Sequence, residues 1–499
     1  MTLVRVALLA LALLTASVPL MQTVSSATAA EADAVTRDPR FGLNDAFRLG
    51  DRADSTGAGW SRILFWWSEM QKGGPGDLDL FATDQDRYIT DEANRGRQLA
   101  GAVLNVPTWA SSDGSRNGVP KNLNLAWDHP DNHWGQFMRK MAQHYRGKVD
   151  TWIIWNEIDI DRSHQWNTWH GTLEEYVQLQ KVAYRAIKAG NPDATVLPFG
   201  AAWWYDRGAT LTRMLDLLAA DPDAAANNYY FDVANLHLYS RADDIPRIIA
   251  WYREQLAARG MQKPIWIGET NAIPYDDPLW VASKAGFRAS QDEQAAYMIQ
   301  AFATYLGLGI ERIGVNRSLD GTDFEAGGEP FGLVRNDGST RPAFTAYQVV
   351  TRYFAGARDA TYEHSAATGI TRVAFARDNE QVTVLWTMRP AAATATVEAR
   401  GASALTVNKF GETATITPQA GAYGIQLAPA TANSNEHDRA DYVVGGDPVI
   451  LVERIDGGTP AARPLSIAPR PAADGVARTA ADAPSTARSA TPIPTPKKR

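Results

Sequence analysis

Val149-Asp150-Thr151-Trp152-Ile153-Ile154-Trp155-Asn156-Glu157 is the stretch from which the rest of the chain can be read. From Val149 to Trp155 it is almost all apolar and rich in β-branched and aromatic residues. That composition suits a strand buried on both faces, as in a parallel sheet covered by helices. Apolarity stops at Asn156-Glu157, and the polar stretch Asp159-Ile160-Asp161-Arg162 follows. A carboxylate at the end of a buried strand stands beside low-dielectric walls, a setting suited to proton donation. A solvated loop glutamate is the alternative.

A second stretch has the same form. Pro264-Ile265-Trp266-Ile267-Gly268-Glu269 is a short apolar run that also ends in Glu. Two carboxylates at the ends of two buried strands are the minimum equipment for cleaving a glycosidic bond with an acid and a nucleophile. Strand ends on one face are also where α/β barrels keep their active sites. Trp155-Asn156-Glu157 followed by Trp266-Ile267-Gly268-Glu269 resembles the superfamily of retaining glycoside hydrolases built on the (β/α)8 barrel, in its bacterial cellulase-like and β-xylosidase-like branch. The resemblance implies that Glu157 ends strand 4 as the acid/base and that Glu269 ends strand 7 as the nucleophile. The family's usual Asn-Glu-Pro is Asn156-Glu157-Ile158 here, a departure that leaves the chemistry intact.

Composition bounds the remaining possibilities. The chain has 499 residues, enough for a barrel plus something smaller. Its hydrophobic content of 45% and charged content of 21% are those of a globular protein. The net charge of −7 and the lack of a Lys/Arg stripe argue against nucleic acid as a partner. With no Cys and eight scattered His, neither disulfides nor a catalytic zinc site is expected. Sixteen Trp residues are many; they serve cores, and their flat faces also stack on sugars. Residues 1–29 read as a secretory signal: Arg5 gives the positive start, Val6 to Leu14 the apolar run, and Ala27-Thr28-Ala29 the cleavage site. An uncleaved anchor is the alternative, and no membrane association is expected once the signal is cleaved.

The pattern of strands and helices places the other candidates. Strands are expected at Phe41–Asn44, Trp60–Trp67, Leu99–Asn105, Val149–Trp155, Thr195–Ala201, Phe231–Tyr239, Pro264–Glu269 and Arg312–Val315. Helical spacing separates most of them, as over Trp134–Arg146, and Thr172-x-x-Glu175 is a capping box at the start of another helix. The order is the βαβα pattern of a parallel sheet, and the expected fold is α/β, a (β/α)8 barrel over residues 40–355. Arg62 lies inside the apolar run Trp60–Trp67, where a lone charge is costly, so a carboxylate partner is expected. His237 and Tyr239 are two apart and share a face. The family resemblance puts Arg62 and Tyr239 beside the nucleophile and Asn156 on the sugar 2-OH. Trp109, in a loop after strand 3, is expected near the sugar. Where the family often has a Trp at the end of strand 8, this chain has Asn316-Arg317, which puts the usual sugar platform in doubt.

After residue 357 the texture changes to short, alternating, β-branched runs such as Thr371–Arg377 and Gln381–Met388. These imply an all-β accessory domain over 358–455, a sandwich. Residues 456–499 are rich in Ala, Pro, Thr and Arg and are expected to be a disordered tail. The expected function is a secreted retaining glycosidase acting on a β-linked oligosaccharide or polysaccharide, needing no cofactor or metal. The rivals are a non-catalytic carbohydrate-binding barrel and a transglycosylase.

Overall fold

The computed structural model describes residues 37–81, 85–280, 287–321, 330–432, 443–456, 458–463 and 465. The expected signal segment and most of the expected tail lie outside the described residues. Nine parallel strands form one curled sheet: β1 (Phe41–Leu43), β2 (Trp60–Trp66), β3 (Gln98–Leu104), β4 (Thr151–Ile154), β5 (Thr195–Leu197), β6 (Ala201–Ala202), β7 (Ala234–His237), β8 (Ile265–Thr270) and β9 (Arg312–Val315). Their order is β5-β4-β3-β2-β1-β9-β8-β7-β6. The two ends of that ladder, β5 and β6, are parts of one run of chain interrupted by Pro198-Phe199-Gly200. The run Thr195–Ala201 was expected to be a single strand, and two residue types explain the break. Pro198 has no N–H to give to a ladder. Gly200 lies so close to His237 that a Cβ would sit 1.9 Å from Nε2.

Helices follow most strands: Gln85–Asn94, His133–His144, Leu173–Gly190, Ala209–Ala220, Ile245–Ala257, Gln291–Gly307 and Pro342–Tyr353. The capping box at Thr172 and Glu175 forms, with Thr172 N–H donating to Glu175 Oε2 at 2.7 Å. Side-chain parity assigns the two faces of the sheet. In β2, Ile63 and Phe65 face the helices, whereas Trp60, Arg62, Leu64 and Trp66 face the inside of the curl. Trp60, Ala100, Ala102, Ile153, Leu197, Val233 and Trp266 pack there as the inner core.

From Arg358 the chain is antiparallel. A six-stranded sheet runs in the order Arg358–Ser365, Ile370–Arg377, Glu380–Thr387, Val449–Arg454, Ala404–Val407, Thr413–Ile416, and faces the pair Ala393–Glu398 and Ala422–Leu427. Leu385, Ala404 and Leu451 on the larger sheet pack against Val397, Tyr423, Ile425 and Leu427 on the smaller. The other face, with Val373, Phe375, Val382 and Val384, joins the main core, and Phe354 meets Phe375 edge-on at 5.4 Å. Lys409, almost fully buried, ties this sheet to the helix at Asp292 (2.7 Å) and to Asp447 (2.5 Å). The strand Arg358–Ser365 gave no signal in the sequence because it is mostly exposed and polar. The described residues of the segment expected to be a tail from 456 are tied to the fold. Leu465 packs on the core, Arg463 N–H donates to Tyr353 OH at 3.1 Å, and its guanidinium donates to Glu380 at 3.2 Å.

Candidate active site

Both glutamates leave their strands through an irregularity, and in each case the irregularity aims the carboxylate. In β4, Ile153 faces the inner core, so simple alternation would turn Trp155 inward as well. Trp155 instead adopts φ 72° and swings its ring outward, against Trp169 at 5.0 Å, with its indole N–H donating to Thr168 O. Glu157, with φ 41°, then reaches the cavity. Backbone held in such sparsely populated regions concentrates at functional sites.

The problem in β8 is sharper. Ile265 and Ile267 belong to the outer core and Trp266 to the inner one, so alternation would send Glu269 outward to the helices. The ladder to β7 skips a residue there: Leu236 pairs with Ile267, but His237 pairs with Glu269. The ladder to β9 shifts over the same span. This bulge at Gly268 returns Glu269 to the interior. Glycine suits the position, because a Cβ there would meet Asn235 Oδ1 at 2.5 Å and push that side chain aside.

Around Glu269 the donors converge. Arg62 Nη1 lies 2.5 Å from Oε1, and Tyr239 OH donates to Oε2 at 2.5 Å. Asn316 Nδ2 in turn donates to Tyr239 OH at 2.8 Å. His237 Nδ1 sits 2.8 Å from Glu157 Oε1 and 3.6 Å from Glu269 Oε2, between the two carboxylates. Burial by itself would raise the pKa of Glu269. His237, Arg62 and the Tyr239 hydroxyl outweigh it and hold the carboxyl well below its ordinary range, at about 2. Burial, followed by the neighbouring Glu269 and Glu157, pushes the Tyr239 hydroxyl well above its usual value, so it stays a donor. Among the described residues, the Glu157 carboxylate has one hydrogen-bond partner, His237, and it lies nearer solvent. One site thus holds a carboxylate fixed in its charged form beside a second, more loosely held one.

The two carboxylates and His237 each offer an oxygen or nitrogen within 4.8 Å of the others. A cation could use such a trio, but both oxygens of Glu269 already serve Arg62 and Tyr239, and a metal would have to displace a guanidinium. The arrangement suits acid and nucleophile chemistry better than metal ligation.

The cavity around these groups has a volume of about 540 Å³. Arg62, Asn156, Glu157, Tyr239 and Glu269 all line it, and His237 lies directly behind the carboxylates. The Asn156 side-chain amide makes no hydrogen bond among the described residues, which leaves it free for a ligand. Trp109 is the correction. Its indole N–H donates to Gln71 O at 2.7 Å and its ring packs against Trp67 and His133, outside the cavity. The loop after β3 turns Trp109 back onto the helix side, where apolar neighbours and a carbonyl satisfy both ends of the indole.

The aromatic walls come from places the sequence did not mark. Trp66 and Phe331 line the cavity, as do Trp166 from the loop after Glu157 and Trp204 from just after β6. Trp166 is 38% exposed, and its ring meets Trp204 edge-on at 5.8 Å. Large exposed aromatics beside a polar stretch were the available signal. Asp159 was also missed, having been read as part of a polar loop. It is buried, its carboxyl accepts Ala202 N–H at 2.6 Å, and burial with the nearby Glu157 charge pushes its pKa well up. It fastens the loop carrying Glu157 to β6.

No protein-family model matches the sequence, and no curated protein matches it. Solved structures do. A family 39 glycoside hydrolase from Bacteroides cellulosilyticus WH2 superposes with a TM-score of 0.60 at 16% identity, over 84% of this chain and 81% of that one. A glucosidase from Croceicoccus marinus gives 0.58 at 12% identity, over 84% and 96%. A GH30 endoxylanase from Clostridium papyrosolvens C71 gives 0.54 at 14%, over 85% and 98%. The resemblance first read from Trp155-Asn156-Glu157 and Trp266-Ile267-Gly268-Glu269 is therefore matched in three dimensions: this chain has the fold of family 39 and family 30 glycoside hydrolases.

Proposed function

We propose that this protein is a retaining glycoside hydrolase whose sheet is a closed (β/α)8 barrel, acting on a β-linked glycoside or polysaccharide. The observation that carries the reading is the pair Glu157 and Glu269, with oxygens within 4.8 Å of each other at the C-terminal ends of parallel strands. Retaining enzymes hold their carboxyl groups about 5–5.5 Å apart, and inverting ones hold them farther apart to admit a water. The short run between β5 and β6 supports closure of the barrel. Neighbours named as an endoxylanase and a glucosidase support a carbohydrate substrate.

The roles follow from the environments. Glu269, kept charged by Arg62 and Tyr239, attacks the anomeric carbon and forms a glycosyl-enzyme bond as the leaving oxygen departs. Glu157 protonates that oxygen and then takes a proton from the water that releases the sugar. Asn156, with its amide unengaged, supplies a hydrogen bond to the sugar 2-OH. The signal-like residues 1–29 support export.

The test is a panel of chromogenic β-glycosides with Glu269→Ala and Glu157→Ala. Glu269→Ala should abolish turnover of every substrate. Glu157→Ala should lose least where the leaving group is already acidic. Equal losses on activated and unactivated substrates would remove Glu157 from the acid role. A wild-type protein that binds sugars and cleaves none of them would be a carbohydrate-binding barrel instead.

A further inference from the structure

The loop that carries Glu157 is tied to β6 by a buried carboxyl, and the surroundings of that carboxyl decide its charge. The loop closes on itself at its ends: Thr168 Oγ1 donates to Asn156 O, and Asn167 Nδ2 donates to Ile160 O at 2.7 Å. Toward β6, its one hydrogen bond among the described residues is from Ala202 N–H to Asp159 Oδ2 at 2.6 Å. Ala202 opens the turn Trp203–Asp206, which carries Trp204. Trp166, near the far end of the loop, meets Trp204 edge-on at 5.8 Å in the cavity wall. Asp159 therefore joins the two pieces of chain that bring Glu157 and this aromatic wall together.

Little around that carboxyl favours a negative charge. Asp159 is 7% exposed, and its Oδ1 is buried with no hydrogen-bond partner among the described residues. Two acids face it, Glu157 from its own loop and Asp206 from the turn after β6. The helices Leu173–Gly190 and Ile245–Ala257 present Tyr176 and Tyr252, whose hydroxyls donate to Ile154 O and Asn235 O and stay protonated. His237 of β7 is engaged by Glu157. Among the described residues no guanidinium or ammonium pairs with Asp159. A buried charge without a counter-ion is costly, and a carboxyl in that position keeps its proton instead. Burial and the two acids accordingly push its pKa well up. Neutrality also serves the second half of the reaction. Glu157 must then be ionised to act as base, and a further negative charge so near would oppose that.

Resting on the glycosidase reading above, we propose that Asp159 is a positioning residue that works as an uncharged acid: neutral, it clasps the loop of Glu157 and Trp166 to the segment of Trp204, and ionised, it releases them. An amide in this place would hold the loop at any pH. The acid makes the clasp depend on pH, because an ionised Asp159 beside Glu157 and Asp206 gains by moving out into water.

The experiment compares the wild type with Asp159→Asn, which is neutral and keeps an acceptor for Ala202 N–H. An Asp in the unfolded chain ionises near about 3.9. A folded value raised above that stabilises the protein fully below about 3.9, and the contribution is lost as pH rises toward the folded value. The melting temperature of Asp159→Asn relative to wild type should therefore climb between about pH 5 and about pH 7, by about 1–3 °C per pH unit. A flat or falling difference means a charged Asp159 and overturns the proposal. The slope needs only a neutral side chain, so Asp159→Ser takes the place of Asp159→Asn if the latter fails to fold. Asp159→Ala removes the clasp. On a glycoside whose leaving group needs protonation, its kcat should be about tenfold or more below that of Asp159→Asn. Equal kcat values would mean that Asp159 does not place Glu157, and would also overturn the proposal. The glycosidase reading survives both results, because it rests on turnover by the wild type. If the wild type cleaves nothing, that reading fails and tryptophan emission decides in place of kcat. Between about pH 6 and about pH 9 the emission should change in the wild type, as Trp166 parts from Trp204, and hold steady in Asp159→Asn. Identical titrations would end the clasp.

Discussion

Replacing Arg62 by Met tests how the nucleophile is kept charged. Met preserves much of the bulk and removes the guanidinium that sits 2.5 Å from Glu269 Oε1. Glu269 is almost fully buried, and burial alone would raise its pKa; His237, Arg62 and Tyr239 together bring it down to about 2. An adjacent arginine lowers a carboxylate by about 1–3 pH units, so its loss should lift Glu269 into the range of about 3–5. The acidic limb of kcat/KM reports ionisation of the nucleophile in the free enzyme. That limb should therefore move upward by about 1–3 pH units in the variant. The alkaline limb, set by other groups, serves as the internal control. The stability sign follows from the same depression. A carboxylate whose pKa falls on folding stabilises the protein above its unfolded value, about 4.3, and loses that contribution as pH falls through the folded value. In Arg62→Met the folded value rises, the contribution shrinks, and the melting temperature should fall. The assay is a pH series of kcat/KM on any aryl glycoside the protein cleaves, paired with thermal melts at each pH. A folded variant with an unmoved acidic limb would refute the reasoning and leave Arg62 as a space-filler.

Other variants test the scaffold. Gly268→Ala forces a Cβ against Asn235 Oδ1 at 2.5 Å, so it should cost about 1–3 kcal/mol in denaturant melts and lower kcat by displacing Glu269; an unchanged kcat would mean the bulge does not aim the carboxylate. Thr172→Ala removes the cap of the helix Leu173–Gly190 and should cost about 1 kcal/mol in the same melts, with the pH profile of kcat/KM unaltered. Lys409→Ala leaves Asp292 and Asp447 without their shared cation and should lower the melting temperature; an unchanged value would mean the antiparallel sheet is held by its apolar face alone.

Much of this protein is determined by its sequence alone. The strand-rich apolar runs ending in Glu157 and Glu269, the helical spacing between them and the Thr172–Glu175 box are local signals, and local signals survive without a structure. Arg62 was legible for a related reason: a charge inside an apolar run must be answered by another charge, wherever the chain finds it. The face of each side chain was beyond reach. Strict alternation, the only rule a sequence offers, turns Glu269 toward the helices. The bulge at Gly268 that reverses it exists because β7 on one side and β9 on the other pair out of step with β8. Trp155 escapes the same rule by a left-handed backbone that its packing against Trp169 and its bond to Thr168 hold in place. Trp109 fails as a sugar contact for want of that knowledge, since a loop's direction depends on what it packs against. Trp166 and Trp204, far apart in the chain, meet only after β4 and β6 are placed. Residue type and spacing decide which groups can do the chemistry, and register between neighbouring strands decides where they point, because pairing energies are set by partners distant in sequence.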